Sequence, residues 1–519
     1  MVERPPQRRR ASWLPAVLGD QPGRTLRQQL RGALKEAIRA GRLPPGTTVP
    51  SSRALAADLG VSRGVVVDAY AQLAAEGFLT SRAGSGTVVS EVARPVARPV
   101  AVPLAALGGP PYDIDLRPGP PDLAAFPRAA WLAATRDVLR SLPDEELGYI
   151  APWGAAVLRH ELADYLTRVR AAMVEPDQLV IVGGATQALT LLVRALAEVG
   201  HQMLAVESPS NAVQRHVLAR YTSRIVDVPV DDEGLDVTAL ERTGSRAVLV
   251  TPAHQYPSGV VLSPARRSAL VRWAERVYGV VIEDDHNPEF RYDRRPIGCL
   301  QGLGPEHVAL VGSVSKSLAP GLRLGWVVAP PPLLEMLMMA KRDDDFGNPV
   351  LGQHVLARLL SDGRYDRHIR RARRRYMDRR DALVTALRRE LPDWHVSGQA
   401  GGLHVMLRLP AGLDEEQVCA AAATRGLAVQ GTRAMYGALP APDGLLVSFA
   451  RAPPGVLTEA VQRLAAAACA AAGTDVRTGS VAAAVRAAPR PHSTTSDTPA
   501  PVRTLIVDQG QKNAPRARS

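Results

Sequence analysis

Lys316 is the residue whose type is hardest to explain by charge alone. Of the 63 basic residues in this 519-residue chain only four are lysine, at positions 35, 316, 341 and 512. A chain that writes nearly all its positive charge as arginine has kept a primary amine here. Once deprotonated, a primary amine can form a Schiff base, which a guanidinium cannot. Ser313 and Ser315 precede it by three and one positions, and Arg323 follows seven later. Two hydroxyls and a guanidinium suit a phosphate dianion. The same residues would also make a surface lysine in a Ser/Gly loop, because short motifs recur by chance.

Two further stretches would position such a site. Leu179-Val-Ile-Val182 reads as a strand, and Gly183-Gly-Ala-Thr-Gln then opens an apolar helix. A glycine turn at a helix start aims free N–H groups at an anion, so Ala185 and Thr186 join the candidate phosphate cradle. Gly279-Val-Val-Ile-Glu-Asp284 reads as a buried strand with carboxylates at its end, where α/β sheets place ligands. Asp284 there would hold a ring nitrogen protonated, and taken alone it is equally an ordinary strand-end aspartate. A Schiff-base amine, a phosphate cradle and a ring-facing carboxylate together are what pyridoxal 5'-phosphate requires.

The elements around these stretches alternate helix and strand patterns for about 360 residues from Asp113, which predicts a doubly wound or similar α/β sheet. Segment 364–390 reads as one long solvated helix with a charged face. Residues 395–470 form a smaller α/β portion ending in an apolar helix from Leu457 to Ala472. The chain divides into a basic extension (1–23), a small N-terminal domain (24–90), a Pro-rich linker (91–112), the α/β body (113–472) and a tail rich in Pro, Thr, Ser, Ala and Arg (473–519), which is expected to be disordered.

Composition bounds the partners. Hydrophobic content of 46% with 22% charged residues is that of a globular protein. No apolar run is long enough to span a membrane, and the Arg-rich start lacks a signal peptide's apolar core, so a cytoplasmic location is the expectation. Cys299, Cys419 and Cys469 are too few and too scattered to imply a disulfide framework or a zinc site. The net charge of +12 is uneven: residues 1–90 carry 13 Lys and Arg against 6 Asp and Glu, and residues 364–390 carry 11 against 4. A basic N-terminal module points to a polyanion partner.

That module has its own pattern. Residues 25–40 place Leu26, Leu30, Ala33, Leu34, Ala37 and Ile38 on one helical face, with Gly41 as a stop. Pro50-Ser51-Ser52 opens a second helix, Arg53 to Leu59, with a serine in the capping position. After a Gly60-Val-Ser62 turn, Ser62 caps a third helix from Arg63 to about Glu76. Two short strands around Arg82-Ala-Gly-Ser-Gly86 complete a winged helix-turn-helix.

The stretch LPPGTTVPSSRALAADLGVSRGVVVDAYAQLAAEGFLTSRAGSGTVV resembles the GntR-type DNA-binding domain over its full length. The resemblance implies double-stranded DNA contacts from Ser51, Arg53, Ser62, Arg63, Gly64, and Gly84 and Ser85 in the wing. Downstream, IDLRPGPPDLAAFPRAAW, GYIAPWGAAVLRHELADYL, TPAHQYPSGV, VIEDDHNPEFRYD and GSVSKSLAPGLRLGW occur in the order seen in fold-type I aminotransferases. Together the two halves resemble the MocR/GabR group of transcriptional regulators, over roughly residues 24–472. By that resemblance Lys316 forms the Schiff base with pyridoxal phosphate and Asp284 pairs the ring nitrogen. Ala185, Thr186, Ser313, Ser315 and Arg323 bind the phosphate, and His254 and Gln255 lie near the ring. Three departures are visible: Asn211 and His286 stand where the family has tyrosines at the ring, and Leu446 stands where many aminotransferases have a carboxylate-binding arginine. Arg433 or Arg451 could substitute for it.

The resemblance therefore implies a homodimeric, ligand-responsive regulator whose small amine or amino-acid effector displaces Lys316 from the cofactor, with little or no transaminase turnover. An active aminotransferase that regulates its own pathway is one alternative. A regulator that has lost pyridoxal phosphate is another.

Overall fold

A computed structural model of the chain describes residues 23–82, 86–91, 112–292, 297–398 and 401–473. Two compact units partition it, Met1–Pro110 and Pro111–Ser519. The expectations for residues 1–22, 92–111 and 474–519 lie outside the described residues. Among those described, no helix is long and apolar enough to cross a membrane.

In the first unit, helices α1 (Leu26–Arg39), α2 (Ser52–Leu59) and α3 (Arg63–Ala75) precede an antiparallel hairpin of β1 (Leu79–Arg82) and β2 (Gly86–Val89). α1 starts at a capping box, with Thr25 and Gln28 each accepting the other's N–H. Its buried face is Leu30, Ala33, Leu34, Ala37 and Ile38; Leu26, expected there, is 48% exposed because it lies in the first turn, at the rim of the core. Gly60 closes α2 in the left-handed region, where glycine avoids the Cβ penalty. Leu55, Val66, Leu73, Leu79 and Val89 lock the helices and hairpin into one core.

The second unit is built on an eight-stranded sheet. In chain order its strands follow the short β3 (Ile114–Asp115). They are β4 (Leu179–Val182), β5 (Met203–Ser208), β6 (Arg224–Asp231), β7 (Gly234–Leu235), β8 (Ala247–Val250), β9 (Val280–Asp284), β10 (Val308–Ser313) and β11 (Gly325–Val328). Their spatial order is β4-β11-β10-β9-β8-β5-β6-β7. β10, β9, β8, β5 and β6 run parallel, while β11 is antiparallel to both neighbours. Both faces are covered, as a parallel sheet requires. Leu179 and Ile181 of β4 point into the core on one side, and Val180 and Val182 into the core on the other. The alternation expected from Asp113 onward is therefore a doubly wound sheet.

The helices of this unit are α4 (Arg128–Ser141), α5 (Ala156–Arg170), α6 (Ala185–Glu198), α7 (Ala212–Leu218), α8 (Val237–Thr243), α9 (Pro264–Val277), α10 (Pro331–Asp345), α11 (Val350–Ser361) and α12 (Arg364–Glu390). A smaller four-stranded sheet with its own helices follows, ending in the apolar helix Pro454–Ala471. α12 corrects the solvated helix expected at 364–390. Tyr365, Ile369, Ala372, Tyr376, Leu383 and Leu387 form a buried stripe at helical spacing, so this helix supplies core residues as well as charge.

Candidate cofactor site and nucleic-acid face

The site forms where β4, β9 and β10 end. Lys316 lies in the turn after β10, and its Nζ donates to the Gly119 carbonyl oxygen at 2.7 Å. Burial holds its amine below the ordinary lysine range, and Asp284 acts in the opposite sense. A lowered lysine gives up its proton more readily, and the deprotonated amine is the form that acts as a nucleophile. The turn is pinned from α12. Tyr365 donates its hydroxyl to Ser317 Oγ at 2.8 Å, and His368 Nε2 donates to the Ser317 carbonyl oxygen at 2.7 Å.

Adjacent aspartates at the end of β9 are sorted by the strand's period of two. Asp285 is held by Arg170, whose Nε and Nη2 donate to its two oxygens at 2.8 and 2.9 Å. Asp284 faces the other way, into a pocket lined also by Asn211, Gln214, Tyr256 and His286. There it accepts one bond, from Gln214 Nε2 at 3.1 Å. With so little compensation, burial pushes its carboxyl up to about 6. His286 stands edge-on to Tyr256 with centroids 5.4 Å apart. Burial and the Lys316 charge hold its imidazole neutral, far below its ordinary range.

The cradle is built on Gly184, whose φ of 107° and ψ of 175° is a glycine conformation. α6 begins at Ala185, so the N–H groups of Ala185 and Thr186 have no partner within the helix. Arg323, itself at a φ of 52°, lays its guanidinium over the turn. A Cβ at Gly184 would lie 3.2 Å from its Nη1. Ser313 Oγ accepts the Ser315 N–H at 3.2 Å. Two free N–H groups, two hydroxyls and a guanidinium around a bare glycine turn fit a phosphate dianion, and a desolvated amine and a buried carboxyl complete the donor set of pyridoxal phosphate.

Two expected ring contacts are placed differently. Asn211 lines the pocket, but its Oδ1 is taken by the N–H groups of Val213 and Gln214 at 3.0 and 3.2 Å, as the N-cap of α7. The amide thus fixes the helix that delivers Gln214 to Asp284. His254 does not line the pocket. Its ring is enclosed by Gly259, Gly401 and Gly402, where a Cβ at Gly402 would meet Nε2 at 2.3 Å, and burial drives it down to about 3. Gln255 donates to the Pro209 and Tyr256 carbonyl oxygens at 2.7 and 2.8 Å, a loop-bracing role.

In the first unit Arg53, Ser62, Arg63 and Gly64 are all exposed, at the start of α2 and α3. Arg63 Nε donates to Ser52 Oγ at 3.3 Å, which ties the two helix starts together. Ser51 caps α2 through the Ala54 N–H at 3.2 Å. Ser62 holds the N-cap position of α3 without making the expected side-chain cap bond, so its hydroxyl is available to a ligand. Tyr70 donates to the Pro50 carbonyl oxygen at 2.9 Å and sets the angle between α2 and α3. Gly84 and Ser85 lie outside the described residues.

Comparison with known proteins agrees with both halves. Residues 26–89 match the family model of bacterial regulatory proteins of the gntR family, and residues 114–464 match that of aminotransferase class I and II. The HTH-type pyridoxine biosynthesis transcriptional regulator PdxR of Corynebacterium glutamicum is 35% identical, over 84% of this chain and 94% of its own length. The probable rhizopine catabolism regulatory protein MocR of Rhizobium meliloti is 30% identical, over 85% of this chain and 93% of its own. The chain belongs to the MocR-type transcriptional regulators. Among solved structures, kynurenine aminotransferase of Pyrococcus horikoshii superposes on the body with a TM-score of 0.64 at 28% identity, covering 68% of this chain and 90% of that one.

The three carboxylate-binding candidates of this MocR-type regulator are engaged elsewhere. Leu446 is fully buried against Met406 and Met435. Arg433 bridges Asp414 and Asp443. Arg451 donates to the carbonyl oxygens of Asp115 and Arg117 at 3.0 and 3.1 Å. Four contributors to this regulator's site were missed in the sequence: Gln214, Gly119, Tyr365 and His368. Gly119 lies within the RPGPPD run that carried the resemblance. The other three bear no local signal.

Proposed function

We propose that this regulator carries pyridoxal phosphate on Lys316 and answers a small amine or amino-acid effector, acting in the cytoplasm as a homodimer on an operator. The observation that supports the reading is the convergence of a desolvated lysine, a buried carboxyl and a glycine-turn phosphate cradle at the ends of β10, β9 and β4. When bound, the cofactor supplies an aldehyde carbon that holds one primary amine at a time. Lys316 provides that amine, Asp284 keeps a proton on the ring nitrogen, and Arg323, Ser313, Ser315 and the Ala185 and Thr186 N–H groups hold the phosphate. An effector amine competes with Lys316 Nζ for the single place. A displaced Lys316 has the Gly119 carbonyl oxygen to return to, and Ser317, pinned by α12, feels which state the lysine is in. Turnover is slow, because Arg433 and Arg451 are already paired and no arginine stands at 446.

Coupling of this kind is worth about 1–3 kcal/mol, or roughly 5- to 150-fold in DNA affinity. Lys316→Arg and Lys316→Ala should keep duplex binding, lose the cofactor's visible absorbance, and lose every change in DNA affinity across a panel of primary amines and amino acids. A full effector response in either variant refutes the reading. Keto-acid release at ordinary enzymatic rates by the unaltered chain would instead establish the aminotransferase alternative.

A further inference from the structure

Most arginines of α12 are accounted for within the protein. Arg364 pairs with Asp362 and Asp137. Arg373 donates to the Glu289 carbonyl oxygen at 2.8 Å. Arg375 and Arg379 meet Asp122 at 3.6 and 2.9 Å, and Arg380 meets Asp381 at 3.3 Å. Arg367, Arg370, Arg371 and Arg374 are different. All four are exposed. Their spacing of three, four and seven residues puts them on one face. Among the described residues none has a carboxylate within salt-bridge distance; Arg371 Nε donates only to the Arg367 carbonyl oxygen, at 3.3 Å. Asp366, four residues before Arg370, is engaged by Arg168 at 3.0 Å, and Asp378 and Asp381 come after the strip has ended. Four like charges on adjacent turns repel one another, so this arrangement costs the free protein and is relieved by an anion.

We propose that Arg367, Arg370, Arg371 and Arg374 form a second, sequence-independent contact with the phosphate backbone of duplex DNA, in addition to the helix-turn-helix. The dimensions fit. Seven residues of helix rise about 10 Å, which matches roughly three phosphates of one strand at about 3.4 Å of duplex axis each. Guanidinium groups on long stems bind phosphate oxygens without reading bases. The reverse side of the same turns, through Tyr365 and His368, holds Ser317 beside Lys316, so the strip lies on an element that also touches the cofactor turn. The inference rests on the chain's being a DNA-binding regulator and goes beyond that reading by placing a DNA contact on the body.

The test uses the full chain and a mixed-sequence duplex several helical turns long, titrated over a range of salt. Each lost phosphate contact lowers the slope of log affinity against log salt by about 0.9. The variant R367Q/R370Q/R371Q/R374Q should therefore lose roughly 2–3 from that slope, and replacing the same four by lysine should restore most of it. The variant R220Q/R242Q/R272Q/R276Q, with four exposed arginines neutralised elsewhere on the body, should leave the slope nearly unchanged. Equal slopes for the unaltered chain and the strip variant overturn the proposal while leaving the regulator reading intact. An equal loss in the control variant overturns it too, since net charge alone would then be responsible. If duplex binding is unchanged but binding of single-stranded RNA is lost, the strip serves RNA and the proposal is wrong. If the unaltered chain binds no duplex even at low salt, both readings fall together.

Discussion

Asp284→Asn should stabilise the cofactor-free protein at neutral pH while weakening its hold on pyridoxal phosphate. Burial raises the Asp284 carboxyl from 3.8 to about 6, with the Gln214 amide and, more weakly, the Lys316 charge opposing it. A carboxyl whose folded value is raised contributes most to stability at low pH, and that contribution is lost as pH rises. Below about 4 both states are protonated and nothing distinguishes them. Between about 4 and 6 the unfolded chain releases its proton while the folded one resists. Above about 6 the full penalty stands, on the order of 3 kcal/mol for a displacement of this size. Asparagine removes the charge and keeps the shape, and its amide oxygen still accepts the Gln214 N–H. The other raised carboxyls, Glu207, Glu283 and Glu289, each near 7, tilt the whole curve in the same sense. The informative quantity is therefore the difference between variant and unaltered chain. In thermal melts of the cofactor-free proteins, that difference should be about 1–3 kcal/mol in favour of Asn near pH 8 and should vanish near pH 4. The same variant should bind the cofactor at least tenfold more weakly, having lost the anion that faces the ring nitrogen. A variant no more stable than the unaltered chain near pH 8, or more stable by the same amount at every pH, would refute the assignment of Asp284 as a desolvated carboxyl awaiting a cationic partner.

Gly184→Ala should cost about 1–3 kcal/mol, since φ of 107° with ψ of 175° is a region nearly restricted to glycine and the new Cβ would press on Arg323. Gly183→Ala, at a conventional φ, should be milder in both stability and cofactor titration. Arg63→Ala should weaken operator binding by about 1–3 kcal/mol and relax discrimination at one base, with the circular-dichroism spectrum unchanged, because Arg63 is exposed and its one bond is to Ser52. Unaltered affinity and preference in a gel-shift titration would remove Arg63 from the DNA face.

The winged helix-turn-helix was legible nearly residue by residue. Its helices are set by local causes: an apolar period, the caps at Thr25 and Ser51, and glycines at 41, 60 and 77 that accept positive φ. Lys316, the Gly183–Gly184 turn and the carboxylate pair at 284 and 285 were legible too, because an amine in an arginine-rich chain, a glycine turn before a helix and a charge ending an apolar strand are all local signals. Which of the two aspartates faces the pocket was a matter of strand register, and Arg170, 115 residues from Asp285, settles it. Pairings across long stretches of chain could not be read. Gln214 reaches Asp284 over 70 residues, Gly119 reaches Lys316 over 197, and Tyr365 reaches Ser317 over 48. The sequence also marked Asn211 and His254; only the fold shows that Asn211 caps α7 while lining the pocket and that His254 is walled in by glycines. The arginines of 364–390 show the division most clearly. Their number and helical spacing are local, and determined by the sequence alone. Which of them are neutralised depends on carboxylates and carbonyls brought up from residues 122, 137, 289 and 362, and only the folded chain puts those within reach of some guanidinium groups and leaves the strip at 367, 370, 371 and 374 without.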